Sequence, residues 1–212
     1  MTTLVGYDSV TADAMPDNGD FYCFYSTGSF ANGTAVKADH PDKKYIGITP
    51  TISDIAGADC LDIENGDATP ADAPTFVKNA DPSSLNLPML YASESNVAAV
   101  ISACTAAGIA RDKYYIFQAL WNGVAAVPAG VDAAQYQNTP GYDNDIALSY
   151  VFKGSTPTPV VTTGTQRGWA WCTKCAGLFF PNSSKDACPA GGKHDGNGSY
   201  DYSLEFSTAP KA

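Results

Sequence analysis

Two carboxylates one residue apart, in Leu61-Asp62-Ile63-Glu64, are the part of this chain best suited to chemistry. Alternate residues of a strand point to the same side, so Asp62 and Glu64 share one face while Leu61 and Ile63 share the other. Two carboxyl groups forced together cannot both ionise freely, and one pKa rises. A carboxyl group that keeps its proton near neutral pH can act as a general acid toward a glycosidic oxygen. The same pair at a solvated strand end would do no chemistry, so the neighbourhood decides. Asp8 ends an apolar run near the start of the chain, and Asp143 and Asp145 open one near residue 150. If the first and last strands are neighbours, these acids converge with Asp62 and Glu64, and such a gathering is rarely accidental.

Eight apolar runs lie between turn signals: 4–7, 21–25, 45–48, 60–63, 89–91, 114–119, 133–136 and 146–152. Eight strands are the number that closes a (β/α)8 barrel, whose active sites sit at the C-terminal strand ends. A helix is expected over 69–79, with Thr69 as N-cap and Pro70 in the first position. Another is expected over 93–107, capped by Ser93 and stopped by Gly108. The remaining connections are too short for full helices. The expectation is therefore an α/β fold over 1–152, a small (β/α)8-type barrel with an incomplete helical ring. A flatter α/β sheet is the alternative.

Other side chains fit a sugar cleft without requiring one. Trp121 follows a strand, where it either stacks on a pyranose ring or packs in the core. Gln118 and Gln135 either bind hydroxyls or plug the barrel. Cys60 has the parity of Asp62 but lies deeper, so it is read as packing.

Composition changes after Phe152. Residues 153–166 are rich in Thr, Pro and Gly and read as an extended linker. Residues 167–212 carry Cys172, Cys175, Cys188 and His194 in the pattern C-x2-C-x12-C-x5-H. Such a Cys3His set suits one tetrahedral zinc ion with a structural role. A module this small has little core of its own and would gain stability from the metal. A disulfide from Cys172 or Cys175 to Cys188 is the alternative, and it would leave an odd thiol. No cofactor is expected for the barrel chemistry.

The series Gly6-Tyr7-Asp8-Ser9, Leu61-Asp62-Ile63-Glu64, Met89-Leu90-Tyr91-Ala92, Gln135-Tyr136 and Asp143-Asn144-Asp145 resembles the strand-end motifs of family 25 glycoside hydrolases. These are phage and bacterial lysozymes that cut between N-acetylmuramic acid and N-acetylglucosamine. The resemblance spans roughly 4–152. It implies Glu64 as general acid and Asp62 as the group that assists at the sugar carbon or positions the 2-acetamido group. It also implies that Asp8 and Asp145 tune and orient, with Asp143 competing for the place of Asp145. Tyr91 and Tyr136 would line the cleft, with Trp121 and Gln135 as further substrate contacts. The end of the chain is similar to short Trp-x-Trp-Cys-x-x-Cys-x-Gly-Leu-Phe … Cys-Pro-Ala-Gly-Gly-x-His-Asp repeats of actinobacterial and phage proteins.

The net charge of -10 argues against nucleic acid and anionic membranes as partners. Met1–Asp8 lacks a basic region before its apolar residues, so no signal peptide is expected. That points to release by lysis or inside a virion, or else to the cytoplasm. Two functions follow. One is a peptidoglycan hydrolase with cell-wall glycan as substrate. The other is a non-catalytic virion protein that uses the same barrel to bind host glycan or other virion proteins.

Overall fold

The computed structural model describes residues 2–155, 163–181 and 187–207. The chain divides into two compact units, Met1–Pro157 and Thr158–Ala212.

In the first unit, β1 (Thr3–Asp8), β2 (Phe21–Tyr25), β3 (Lys44–Thr49), β4 (Cys60–Ile63), β5 (Met89–Ser93), β6 (Tyr115–Ala119), β7 (Ala133–Thr139) and β8 (Tyr142–Leu148) close into a barrel in sequence order. Strands β1 to β7 run parallel, whereas β8 is antiparallel to both β7 and β1. The eight expected strands are present, but the barrel is mixed and not an all-parallel (β/α)8 arrangement. The cause is local. Only Pro140 and Gly141 separate the paired residues Thr139 and Tyr142, and Gly141 has φ 100°. A two-residue connection can make a hairpin but never a parallel crossover.

The last strand also lies earlier than the apolar run 146–152 suggested, because Tyr142–Asp145, though polar, pairs on both sides. This reversal matters for the acids. In an all-parallel barrel, residues that open the last strand would stand at the mouth opposite Asp8. In β8 they stand at the same mouth, with Asp143 beside Asp8 and Asp145 beside Gly6.

Below that mouth the barrel is filled by Phe21, Cys23, Ile46, Cys60, Met89, Tyr115 and Phe117 in one apolar cluster. A Cβ on Gly6 would stand 2.4 Å from the Phe21 ring, so only glycine admits that ring to the floor. The opposite parity faces outward. Leu61, Ile63, Leu90 and Ile116 pack with Phe76 of α2 (Ala73–Asn79) and Val100 of α3 (Glu94–Ala106). Each such side chain contributes about 1.5–3 kcal/mol by leaving water. On the other side, Tyr22 and Phe24 pack under Val36 of α1 (Gly33–Asp39).

Helix α2 starts later than expected. The N–H and hydroxyl of Thr69 both donate to Asp72 Oδ2, closing a separate turn, and Pro74 takes the early helical position. Ser93 stands at the N-cap of α3, but its hydroxyl pairs with Ser95. The seven residues of α1 were too few to show a helical period in the sequence.

Two buried acids serve the fold. Asp59 accepts from the N–H groups of Gly47 and Ser84, at 2.9 and 2.7 Å. Asp132 accepts from Arg111, the Ile116 N–H and the Tyr150 hydroxyl. Both are satisfied by donors, as buried carboxylates must be.

In the second unit, β9 (Thr163–Trp171) is flanked by β10 (Leu178–Phe179) and β11 (Tyr202–Ser207), both antiparallel to it. The expected linker over 153–166 is thus shorter at both ends. The Lys153 N–H bonds Ser84 O in the barrel, and β9 begins at Thr163 because β11 offers its backbone a partner. Residues 156–162 of that expected linker lie outside the described residues. Among the described residues, no helix is long and apolar enough to cross a membrane.

Candidate active site and metal cluster

The barrel mouth holds a cavity of about 410 Å³. Asp8 from β1, Asp62 from β4, Glu64 just beyond it and Asp143 from β8 line it, with Tyr25, Tyr91, Phe117, Trp121, Gln135 and Tyr142. Each acid arrives by parity: Asp62 follows Cys60 on the inward face of β4, and Asp143 follows Asp145 toward the mouth on β8.

Burial dominates the electrostatics. It pushes Asp62 up to about 7, against the Tyr25 hydroxyl that donates to its Oδ2 at 3.0 Å, and the charges of Glu64, Asp67 and Asp8 push it further. Burial and the Asp143 charge raise Asp8 to about 6, although hydrogen bonds with Gln135 and Asp145 oppose this. Asp145 is fully buried and is held well above the usual carboxylate range by desolvation and by Asp8. Glu64, half-buried, is raised by burial and by Asp67 and Asp143. Every one of these shifts is upward, so burial favours the protonated form of each group.

Gln135 joins the two sides of the floor. Its Oε1 accepts from the Tyr91 hydroxyl and the Trp121 indole N–H, each at 2.7 Å. Its Nε2 donates to Asp8 Oδ2 at 2.7 Å and Asp143 Oδ2 at 3.0 Å. With both hydrogens and the oxygen occupied, Gln135 positions the acids and rings around it, which accords with the alternative of a residue that plugs the barrel. Trp121 is 56% exposed at the rim and adopts φ 45°. A non-glycine residue there costs about 1–3 kcal/mol, sustained here by its bonds to Gln135.

The structure therefore brings Asp8, Asp62, Glu64, Tyr91, Trp121 and Gln135 to one cavity. Asp145 lies beneath them, bonded by the Cys23 thiol at 3.6 Å, and Asp143 is the acid from β8 that reaches the cavity. Tyr136 is the expected residue that stands apart. It follows Gln135 on the opposite parity, at a bulge in β7, and does not line the cavity. Tyr25 and Tyr142 were missed. Tyr25 ends an apolar strand, and its position two residues past Cys23 on the inward face was the available signal.

In the second unit, the ligand atoms of Cys172, Cys175, Cys188 and His194 all lie within 4.8 Å of one another. Cys172 follows β9, and a turn with Ala176 at φ 56° folds Cys175 back beside it. Cys188 opens a turn closed by Gly191 and Gly192, both at positive φ. The His194 ring stacks on Phe179 with centroids 4.7 Å apart. The Cys172–Cys188 sulfurs are 3.8 Å apart and Cys175 Sγ is 3.5 Å from His194 Nδ1. Two thiolates at ~2.3 Å from a tetrahedral ion stand about 3.8 Å apart, and a thiolate and an imidazole about 3.5 Å, so the four residues fit a metal ion. All six cysteines are free, and the Cys172–Cys188 separation is far beyond a bonded pair of ~2.05 Å. Burial raises the Cys172 thiol, but N–H donors led by that of Asp195 outweigh it and bring it down to about 5.

No family model, curated protein or solved structure matches the chain.

Proposed function

We propose that the barrel is a glycoside hydrolase that cuts cell-wall peptidoglycan as the lysozymes do, with Glu64 as the proton donor. One observation carries this reading: carboxyl groups from three separate parts of the barrel meet in one aromatic-walled cavity, where burial favours the protonated form of each. Glu64 is the least enclosed of the Asp62–Glu64 pair and the better placed to meet a bridging oxygen. Its proton passes to that oxygen, the sugar carbon–oxygen bond breaks with its electrons on the departing oxygen, and water completes the sugar. The proton lost by water returns to a carboxylate. Asp62, fixed by Tyr25, stands beside the carbon that becomes cationic and supplies negative charge there once it has lost its proton, near and above pH 7. Trp121 offers a face for a pyranose ring. Trp121→Ala is expected to weaken glycan binding about tenfold, and Trp121→Phe much less, measured by titration calorimetry.

A second reading uses the same cavity without turnover, in a virion protein that binds host glycan. The depth of Asp62, which is 2% exposed, favours it. Purified protein incubated with wall sacculi separates the two. Release of reducing ends supports the hydrolase, saturable binding without product supports the binder, and neither result leaves both without support.

The ion we propose for the C-terminal cluster is structural zinc, since three thiolates and an imidazole in a closed tetrahedral set suit it. Metal analysis of the full chain is expected to give about one equivalent. Chelation, or Cys175→Ser, is expected to remove the thermal transition of the second unit and leave that of the barrel. Less than about half an equivalent in fresh protein would overturn the assignment.

A further inference from the structure

We infer that the barrel cavity selects a sugar whose nitrogen is a free ammonium, an unacetylated hexosamine, over its N-acetylated counterpart. This rests on the glycosidase reading and narrows its substrate to wall glycan in which the hexosamine nitrogen has lost its acetyl group.

The charges come first. Four carboxyl groups line the cavity, and among the described residues no Lys, Arg or His does. The largest neighbouring charges on Asp8, Asp62 and Glu64 come from other acids. A ligand carrying carboxylate or phosphate meets only repulsion there. A ligand cation takes the place of the protons that these groups otherwise retain, in a site where desolvation strengthens the attraction.

The hydrogen bonds point the same way. The donors at the floor already have protein acceptors: Tyr25 on Asp62, Tyr91 and Trp121 on Gln135, and Gln135 on Asp8 and Asp143. The acceptors are in excess. Asp62 Oδ1 and Asp143 Oδ1 are enclosed and have no partner, and the rest of the Asp62 side chain is almost wholly buried. An acetamide would bring a carbonyl that needs a donor, and the hydroxyl, indole and amide donors of the floor are already taken by protein acceptors. An ammonium brings three donors and no acceptor, which is the complement of what the floor leaves open. The rings of Tyr25, Tyr91 and Trp121 are compatible with a cation as well, through their negative faces. This departs from the expectation, drawn from resemblance, that Asp62 positions a 2-acetamido group.

The test is calorimetry on the full chain with β-1,4-linked tetramers of glucosamine and of N-acetylglucosamine, near pH 6 and at low salt. The glucosamine tetramer is expected to bind about tenfold tighter or more, a gain of ~1.4 kcal/mol. The gap is expected to close as salt rises and to shrink in both Asp143→Asn and Asp62→Asn. The heat is expected to vary with the ionisation enthalpy of the buffer, because protons leave as the cation enters. Equal or tighter binding of the acetylated tetramer overturns the inference and leaves the glycosidase reading standing. Tetralysine bound as tightly as the glucosamine tetramer also overturns it, since the cavity would then select charge and not sugar. If neither tetramer binds and walls yield no product, the glycosidase reading falls with it.

Discussion

Glu64→Gln is expected to lower the rate of wall hydrolysis about a thousandfold while leaving glycan affinity within a few-fold of wild type. General acid catalysis contributes about 10²–10⁴ in rate, and glutamine keeps the size and hydrogen bonding of the side chain without a transferable proton. Glu64 lines the cavity beside Asp62 and is half-buried, so the change removes charge without opening a void in the core. Asp62→Asn should cost about a hundredfold, through the loss of negative charge beside the developing cation. The alkaline limb of the wild-type profile is informative: activity should fall as pH rises through the pKa of the donor, which burial has moved upward. Reducing-end release measured against pH on purified sacculi checks all three expectations. Tyr136→Phe serves as the control, since that side chain does not line the cavity. Wild type and Glu64→Gln of equal, measurable activity would sink the proposed role of Glu64. If both bound walls and neither released product, the non-catalytic virion reading would take its place.

The barrel is expected to be more stable at pH 5 than at pH 8. Folding raises Asp62 from the ordinary 3.8 to about 7 and Asp8 to about 6, and moves Asp145 in the same direction. Over that window the native state binds more protons than the unfolded chain, so stability declines as pH rises. The contribution is fully present below the unfolded carboxylate pKa and is lost as pH climbs through about 6 to 7. Of the rise on Asp62, about two pH units lie between pH 5 and its pKa of about 7, worth up to ~3 kcal/mol or roughly 5–10 °C in Tm for a unit of this length. Asp145→Asn should raise Tm at pH 8 and flatten the profile, because the amide needs no proton to remain neutral beside Asp8. Asp112→Asn, at an exposed position paired only with Lys113, should not. A Tm that holds level or rises between pH 5 and pH 8 would contradict the account, as would equal effects from the two variants.

These two expectations draw on different features of the same floor. Activity depends on a proton reaching the rim at Glu64. Stability depends on protons held below it, on Asp145 and Asp8, under the bridge that Gln135 makes to Trp121 and Tyr91. Substituting Gln135 would disturb both, which is why it is a poor test of either.

Local pattern determined much of this protein before any packing was known. The period-two alternation in Cys60–Ile63 put Asp62 on the face opposite Leu61 and Ile63, and the outward pair does lie under α2 and α3. Eight apolar runs gave the strand count, and the cysteine spacing gave the four metal-capable residues. Such signals are legible because strand parity and short chelating loops are properties of adjacent residues.

Tertiary structure alone decided the rest. The direction of β8 follows from a two-residue turn, and that direction carries Asp143 and Asp145 to the mouth where Asp8 ends. The choice of Asp143 over Asp145 as the acid that reaches the cavity, the loss of Tyr136 from it, and the closed valences of Gln135 depend on register and a bulge between strands distant in sequence. Which acids keep their protons was equally hidden. A carboxyl pKa responds to desolvation and to charges across the barrel, and only the closed sheet brings those charges together.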